Sequence, residues 1–212
     1  MRFFSYDSKF SQILLKLSAS CYLNLLWMLC SLPVFTLGAA TTALYSVTLK
    51  LARGEDPALT RDFFRAFRRN FRQATLLWLL LLAVGLVLAL DGYVLYHLSR
   101  SASQPLAIVW TLLLAVLIVS AILYTIVLMH IFPLVATFEN TSRAMLKNAF
   151  LIGIRYLFCS ISVFAIHFAM FFVVVAVFTP LFLFGEGLCA LLSAYLLSPV
   201  LRQCEPPEEA SL

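Results

Sequence analysis

Four long stretches of this sequence contain no charged residue, and they limit the possible folds more than any other feature. The longest are residues 17–49 and 101–138, and residues 73–90 and 156–185 follow the same pattern. A helix needs about 20 predominantly apolar residues to cross the hydrocarbon core of a bilayer. The sequence therefore predicts a chain that crosses a membrane several times.

The composition excludes an ordinary water-soluble domain and favours helices as the spanning elements. Hydrophobic residues make up 63% of the chain and charged residues 12%, against about 45–50% and 25% in soluble domains. A span must satisfy its own backbone hydrogen bonds, which leaves helices or a closed barrel. Barrel strands alternate apolar and polar residues, but residues 76–82 and 171–178 are apolar on every side. We therefore predict an all-α transmembrane bundle, with residues 1–204 as a single domain.

The basic residues are unevenly distributed among the segments that connect the apolar stretches. Residues 1–16, 50–72 and 139–155 are rich in lysine and arginine, whereas residues 91–104 and 180–187 carry few charges. Loops rich in lysine and arginine stay on the cytoplasmic side of a membrane. The first three segments are therefore predicted inside and the other two outside. This arrangement requires about six spans, with both termini in the cytoplasm.

The first charge-free stretch must contain two of these spans, because both of its ends are predicted inside. Pro33 lies at its midpoint, and proline breaks or kinks a helix. We predict a hairpin of residues 17–32 and 34–49, whose arms of about 24 Å are short for a bilayer of about 30 Å. A re-entrant hairpin and one kinked span remain alternatives. Further spans are predicted near residues 73–91, 105–134, 155–179 and 183–201, and a short disordered acidic tail at 205–212.

Residues 60–72 have the pattern of a basic amphipathic helix. Phenylalanines and arginines recur on opposite sides at helical spacing: Phe63, Phe64, Phe67 and Phe71, and Arg61, Arg65, Arg68, Arg69 and Arg72. This pattern is typical of a helix that lies in the membrane interface. The arginines either dock a partner or anionic lipid, or only anchor the loop inside. Nucleic-acid binding is disfavoured, because the phenylalanines of a helix in the membrane interface are needed for contact with the bilayer.

Small residues in the second hairpin arm favour close packing between helices. Gly38 with Thr42, and Ala39 with Ala43, have the spacing that lets another helix approach closely. We expect this packing within the protein itself rather than at an oligomer or partner interface. The oligomeric state stays open.

Few polar groups are predicted inside the membrane. Asn24 and His167 lie within predicted spans, whereas Asp91 and Glu186 are assigned to the outer surface. His167 is compatible with a proton relay, but a packing role with a hydrogen bond is favoured. The five cysteines form no CxxC pair, and common nucleotide-binding, metalloprotease and hydrolase motifs are absent. The sequence therefore predicts no enzymatic activity, no metal site and no cofactor.

The segment 24–45, with its LP-x-x-T-x-G-A-A-x-x-A pattern, resembles the YesL family of bacterial integral membrane proteins. Phe63-Phe64, Phe67, Asn70-Phe71 and residues 146–149 fit the same resemblance, which spans nearly the whole chain. It implies a multi-span protein of the bacterial cytoplasmic membrane and no catalytic residues. The family's genes commonly lie beside carbohydrate ABC importers, sensor kinases and glycan-degrading enzymes, so the resemblance also implies an accessory role in sugar uptake.

Two functions follow from these observations. The first is a non-enzymatic accessory or regulatory subunit, with the bilayer and an ABC-type sugar importer or another membrane protein as partners. The second is a small transporter or channel with its own polar pathway. A transporter is expected to have a polar cavity containing Asn24 or His167, whereas an accessory subunit is expected to be dry inside and to present a docking face.

Overall fold

The computed structural model of the chain describes residues 9–101 and 107–204, and apart from turns this part of the chain is entirely helical. It contains seven α-helices: α1 (Lys9–Ser31), α2 (Leu37–Ala52), α3 (Leu59–Ser101), α4 (Ala107–Thr137), α5 (Ser142–Arg155), α6 (Leu157–Ala176) and α7 (Phe182–Arg202). Short 3-10 turns, Val34–Thr36 and Thr179–Leu181, precede α2 and α7. The all-α class is confirmed. The predicted acidic tail, residues 205–212, lies outside the described residues.

Six of these helices are long and apolar enough to cross a membrane, as predicted. The exception is α5, which has 14 residues and is too short to span a bilayer. Its start is capped by Thr141, whose hydroxyl accepts the Ala144 N–H. Its C-terminus meets α6 at Tyr156, where the backbone leaves the helical conformation (φ −111°, ψ 51°). The fifth span, α6, therefore starts at a kink rather than at a loop.

The break predicted at Pro33 is confirmed, although the two hairpin arms differ in length. α1 has 23 residues and α2 has 16, which corresponds to about 34 Å and 24 Å of helix. Thr36 holds the turn, because its hydroxyl oxygen lies 2.6 Å from the Cys30 carbonyl oxygen and 2.7 Å from that of Pro33. The hydroxyl thus offers a donor to the Cys30 carbonyl, one of the groups that the end of α1 leaves without a helical partner.

The tip of this hairpin lies beside the middle of α3. The Trp78 indole N–H donates to the Val34 carbonyl over 2.8 Å. From Trp78 to Ser101, α3 extends past the tip for about 35 Å. This part of α3 packs against α4, where the Tyr124 hydroxyl donates to the Leu81 carbonyl over 3.1 Å. The α1–α2 hairpin is therefore much shorter than the α3–α4 hairpin.

α2 is the central helix of the bundle. Most of its residues are buried, and it packs against α1, α3, α4 and α7. By contrast, α3, α4 and α6 expose many large apolar side chains, which a membrane would solvate but water would not. The protein core therefore surrounds α2, and the outer helices provide the apolar surface.

One end of the bundle gathers the basic segments, and we call it the basic end. It contains the α2–α3 turn, the α4–α5 turn and the C-terminus of α7. Gln73 Nε2 donates to the Asn140 carbonyl over 2.6 Å, and the Tyr156 hydroxyl donates to Gln203 Oε1 over 2.7 Å. Residues 50–72 and 139–155 thus share one side of the protein, as the predicted topology requires.

The basic segment 60–72 is the N-terminal part of α3 and not a separate helix. α3 runs for 43 residues without interruption, because no glycine or proline occurs between Leu59 and Trp78. Phe63 is fully buried, and Phe67 and Phe71 pack against the core. The structure thus differs from the predicted interfacial helix, since these phenylalanines contact protein instead of lipid. These three phenylalanines therefore give no reason to exclude nucleic-acid binding, and the fourth, Phe64, is exposed.

Candidate functional site

The four small residues predicted to pack between helices, Gly38, Ala39, Thr42 and Ala43, are all buried in α2. A Cβ added at Gly38 would lie 2.5 Å from Trp78 Cβ and 2.6 Å from the Ala74 carbonyl oxygen. Only glycine permits this approach of α2 to α3. The Thr42 hydroxyl donates to the Gly38 carbonyl over 2.9 Å, so its polar group is satisfied within the helix. These residues form contacts between helices of the same chain.

The five arginines between residues 60 and 72 of α3 are exposed, and they divide between two edges of the helix. Arg65 and Arg69 line a cavity at the basic end; we call them the cavity edge. Arg61 and Arg68 lie beside Phe64 in a shallow depression on the outside of the helix. With Arg72, one turn beyond Arg68, they form what we call the outer edge. The sequence pattern grouped all five on one face. In the structure, α3 is rotated so that one edge of this face borders the cavity and the other edge faces outward.

The cavity at the basic end has a volume of about 380 Å³ and lies between α2, α3 and α4. Ionisable side chains dominate its lining, and we call it the basic cavity. Lys50, Arg53, Arg65 and Arg69 contribute four positive charges, and Glu55 and Asp62 two negative charges. Ser46, Leu49, Ala66, Ala136 and Thr137 complete its walls. The described part of the lining therefore carries a formal net charge of +2, from four cations and two carboxylates.

Among the described residues, carboxylates lie within ion-pair distance of Lys50, Arg65 and Arg69. Asp62 Oδ2 accepts from Lys50 Nζ at 3.0 Å, and Asp62 Oδ1 lies 3.7 Å from an Arg65 guanidinium nitrogen. Arg69 lies 3.8 Å from Glu139 Oε1, outside the cavity. The Asp62 side chain is 14% exposed and that of Lys50 39%, so Asp62 is the inner partner. It restrains cations from α2 and α3 at the cavity wall.

The carboxamide of Asn24, predicted as an intramembrane polar group, bridges two backbone groups of α7. Its Nδ2 donates to the Leu183 carbonyl over 2.6 Å, and its Oδ1 accepts the Gly187 N–H over 2.8 Å. These two groups are four residues apart, the spacing of a helical hydrogen bond. A Cβ at Gly187 would collide with the Ser20 carbonyl oxygen and Asn24 Cβ. Asn24 therefore joins α1 to the first turns of α7 at a point of very close approach.

His167, the second predicted polar group, lies opposite a carboxylate on α7. Its Nδ1 lies 2.9 Å from the Val163 carbonyl oxygen, and because a carbonyl only accepts, Nδ1 carries a hydrogen. Its Nε2 lies 3.9 Å from Glu186 Oε1. This distance suits an ion pair or a bridging water but exceeds a direct hydrogen bond.

The structure therefore gathers Asn24, His167 and Glu186 around the first turns of α7. The predicted turn over residues 180–187 is shorter in the structure, because α7 begins at Phe182 and places Glu186 in its first turns, near the start of a candidate span. The assignment of Glu186 to the outer surface stays a prediction. Gly185, near Pro180 and next to Glu186, gave the segment the composition of a turn. The only signal of a helix was the apolar run that continues on both sides of Glu186.

The sequence also gave no indication that Lys50, Arg53 and Asp62 line a cavity with Arg65 and Arg69. These residues stand on two helices and the turn between them, so only the fold brings them together. Within residues 9–101 and 107–204, no group of three histidine, cysteine or acidic side chains has an arrangement suited to a metal ion.

Comparison with known proteins places the chain among bacterial proteins of similar sequence. The family described as "Protein of unknown function, DUF624" matches residues 21–92, which include Asn24, Gly38 and the five arginines between residues 60 and 72. The chain is 30% identical over 156 residues to "Uncharacterized protein YteU" of Bacillus subtilis (strain 168), covering 71% of this chain and 66% of that protein. It is 29% identical over 136 residues to "Uncharacterized protein YesL" of the same organism, covering 62% and 60%.

The matched parts thus span about two thirds or less of these relatives. No solved structure matches the chain. The predicted resemblance to YesL is confirmed by the second relative and by the family match. The chain belongs to the DUF624 family, as a multi-span membrane protein distantly homologous to YesL and YteU.

Proposed function

We propose that this protein is a non-enzymatic accessory subunit of the bacterial cytoplasmic membrane, which docks an acidic segment of a membrane partner on the outer edge of α3. The observation that carries the proposal is that two sides of α3 have different surroundings. Three of its phenylalanines pack into the core, whereas Phe64 lies on the outer side of the helix. Arg61, Arg68 and Arg72 are exposed on that outer side. Within the described residues, no carboxylate forms an ion pair with these three. They are available to a partner without loss of any contact that holds the fold.

The partner's chemistry follows from the charge and the position of this edge. Three arginines on one side of a helix attract a segment rich in carboxylates, and Arg forms bidentate hydrogen bonds with carboxylate groups. The basic end is cytoplasmic by the positive-inside rule, so the acidic segment belongs to a cytoplasmic part of the partner. A carbohydrate ABC importer as that partner is an inference from the resemblance to the YesL family.

Charge-matched variants test this proposal in native membranes. In the first variant, Arg61, Arg68 and Arg72 become glutamine. In the control, Arg143, Lys147 and Arg155 become glutamine; they are also exposed and also at the basic end, but on α5. Each variant loses three positive charges. We expect one specific membrane protein to crosslink to the wild-type chain and to the control, with recovery from the α3 variant falling at least fivefold. Equal recovery from all three, with correct insertion, would refute the docking surface.

The second candidate, a transporter or channel with its own polar pathway, is favoured by a different observation. Glu186 lies in a candidate span and faces His167, close to Asn24, and ionisable groups inside a membrane commonly mark ion or proton pathways. Proteoliposomes loaded with a pH-sensitive dye test this candidate under an imposed membrane potential. A proton flux above that of empty liposomes, lost in Glu186→Gln and kept in Glu139→Gln, would support a transporter over an accessory subunit.

A further inference from the structure

The basic cavity forms a site for a phosphoryl group. We propose that it binds a phosphate-bearing ligand, either a soluble phosphorylated compound or the headgroup of an anionic phospholipid. The proposal does not depend on the docking function, because it rests on Lys50, Arg53, Arg65 and Arg69, whereas the docking surface consists of Arg61, Arg68 and Arg72.

The size of the cavity suits a small ligand. Its volume of about 380 Å³ falls within the range of about 300–1,000 Å³ that is usual for small-molecule sites. Charged groups lie along one part of the wall, and Leu49, Ala66 and Ala136 provide an apolar part. A ligand with one charged group and a small uncharged body matches this division.

The charge of the cavity calls for an anion. Among the described residues, four cations and two carboxylates line it, and this excess of positive charge favours a phosphate anion. The positive-inside rule accounts for basic residues in the α2–α3 connection, but it depends on the number of lysines and arginines in a loop and does not require them to line one concavity. Cations brought together in this way repel one another, and a bound anion relieves that repulsion.

The arrangement of the cations also leaves hydrogen-bond donors for a ligand. The distances from Arg65 to Asp62 and from Arg69 to Glu139 are 3.7 and 3.8 Å, which are longer than direct hydrogen bonds. These contacts orient the two guanidinium groups without using their N–H donors. Arginine presents five donors in a planar fork that fits phosphate oxygens bidentately. Lys50 Nζ, with one donor engaged by Asp62, retains two more.

Thr137, on the α4 wall of the cavity, provides a hydrogen-bond acceptor and no donor. Its hydroxyl donates to the Pro133 carbonyl over 2.9 Å, so its single hydrogen is used and it offers only acceptor lone pairs. The α4 wall can therefore accept a hydrogen bond from a ligand hydroxyl but cannot donate to a phosphate oxygen. Phosphate binding is thereby directed to the α2 and α3 walls, where the cations lie.

Binding to the purified full-length chain tests the site. Pyrophosphate and inorganic phosphate are titrated at constant ionic strength in uncharged detergent, by calorimetry and by thermal unfolding. In parallel, the unfolding temperature is compared in nanodiscs of phosphatidylglycerol and of phosphatidylcholine. The test variant is Arg65→Gln with Arg69→Gln, and the matched control is Arg61→Gln with Arg68→Gln. Both variants remove two exposed arginines from α3, and only the first changes the cavity.

We expect phosphoryl binding to the wild type and to the control, weakened at least about tenfold in the test variant, since each lost charge-assisted contact alone accounts for about that factor. Saturable pyrophosphate binding identifies a soluble ligand; stabilisation only by phosphatidylglycerol identifies a lipid headgroup. Binding to neither, or equal binding by both variants, overturns the proposal.

If the double variant does not fold, Arg69→Gln alone serves instead, because this side chain is 53% exposed. Retained partner crosslinking with lost phosphoryl binding, or the converse, separates this site from the docking surface.

Discussion

Asn24 and Gly187 lie 163 residues apart in sequence, yet the Gly187 N–H donates to Asn24 Oδ1 over 2.8 Å. Two features make this contact possible. The missing side chain of Gly187 lets α7 touch the backbone of α1 at Ser20, and the Asn24 amide supplies both a donor and an acceptor to α7. The contact fixes the start of α7, and with it the position of Glu186 relative to His167.

Because the Asn24 amide both donates and accepts a hydrogen bond, we expect Asn24→Leu to destabilise the protein less than Asn24→Asp. Asn24→Leu removes both hydrogen bonds, but the Leu183 carbonyl and the Gly187 N–H can then pair with each other along the helix, so we expect a loss of about 1 kcal/mol. Asn24→Asp places an acceptor against the Leu183 carbonyl and a charge in a buried site, and we expect a loss of about 2–3 kcal/mol. Unfolding midpoints in mild detergent measure both. Aspartate tolerated better than leucine would contradict the bridging geometry.

Gly38 is predicted to be the glycine of α2 and α3 least tolerant of a side chain. Gly38→Ala would push a methyl group against Trp78 and the Ala74 carbonyl, and overpacking of this kind costs about 1–3 kcal/mol. Gly92→Ala is the matched control, because its added Cβ would meet only Leu117 Cδ2 at 3.5 Å. It should be neutral or stabilising by up to about 1 kcal/mol, since alanine is a better helix former. Thermal unfolding compares the two, and equal melting temperatures would show that α2 and α3 are not in tight contact at Gly38.

The facing positions of His167 and Glu186 predict that their substitutions are not additive. If the two groups interact, His167→Gln should have a smaller effect in a Glu186→Gln background than alone, with an interaction energy of about 0.5–1 kcal/mol. A double-mutant cycle in detergent at pH 7 measures this quantity. The same cycle between His167 and Glu139, which lies at the basic end, serves as the control and should be additive. Additivity in both cycles would mean that the 3.9 Å contact contributes nothing to folding.

The unequal lengths of the two hairpins predict different accessibility at their tips. In single-cysteine variants, an impermeant thiol reagent added from outside should label position 100 rapidly and Cys204 only after permeabilisation, since charge places these sites on opposite sides. Position 34 should react more slowly than position 100, because the hairpin tip lies beside Trp78, about 35 Å short of the end of α3. Equal rates at positions 34 and 100 would place both tips at the same depth. Labelling of position 100 only from inside would reverse the predicted topology.

The sequence by itself determined the helical class, the six candidate spans and the break at Pro33. The reason is that a bilayer admits only segments whose backbone hydrogen bonds are satisfied internally. A long apolar segment that is not a barrel strand must therefore be a helix. Proline at the centre of such a run interrupts it wherever it packs. These features depend on local composition alone, and no tertiary contact was needed to infer them.

Only the tertiary structure decided where the amphipathic faces point. Phe63 and Phe67 form an apolar stripe that can pack equally well against lipid or against other helices. In the structure they pack against other helices. The separation of Arg65 and Arg69 from Arg61 and Arg68 depends on the rotation of α3 against α2 and α4. The approach of Glu186 to His167 depends on the first turns of α7, which Asn24 fixes from 163 residues away. Such long-range contacts leave no periodic signal in a single sequence, and they are what assembles the candidate sites.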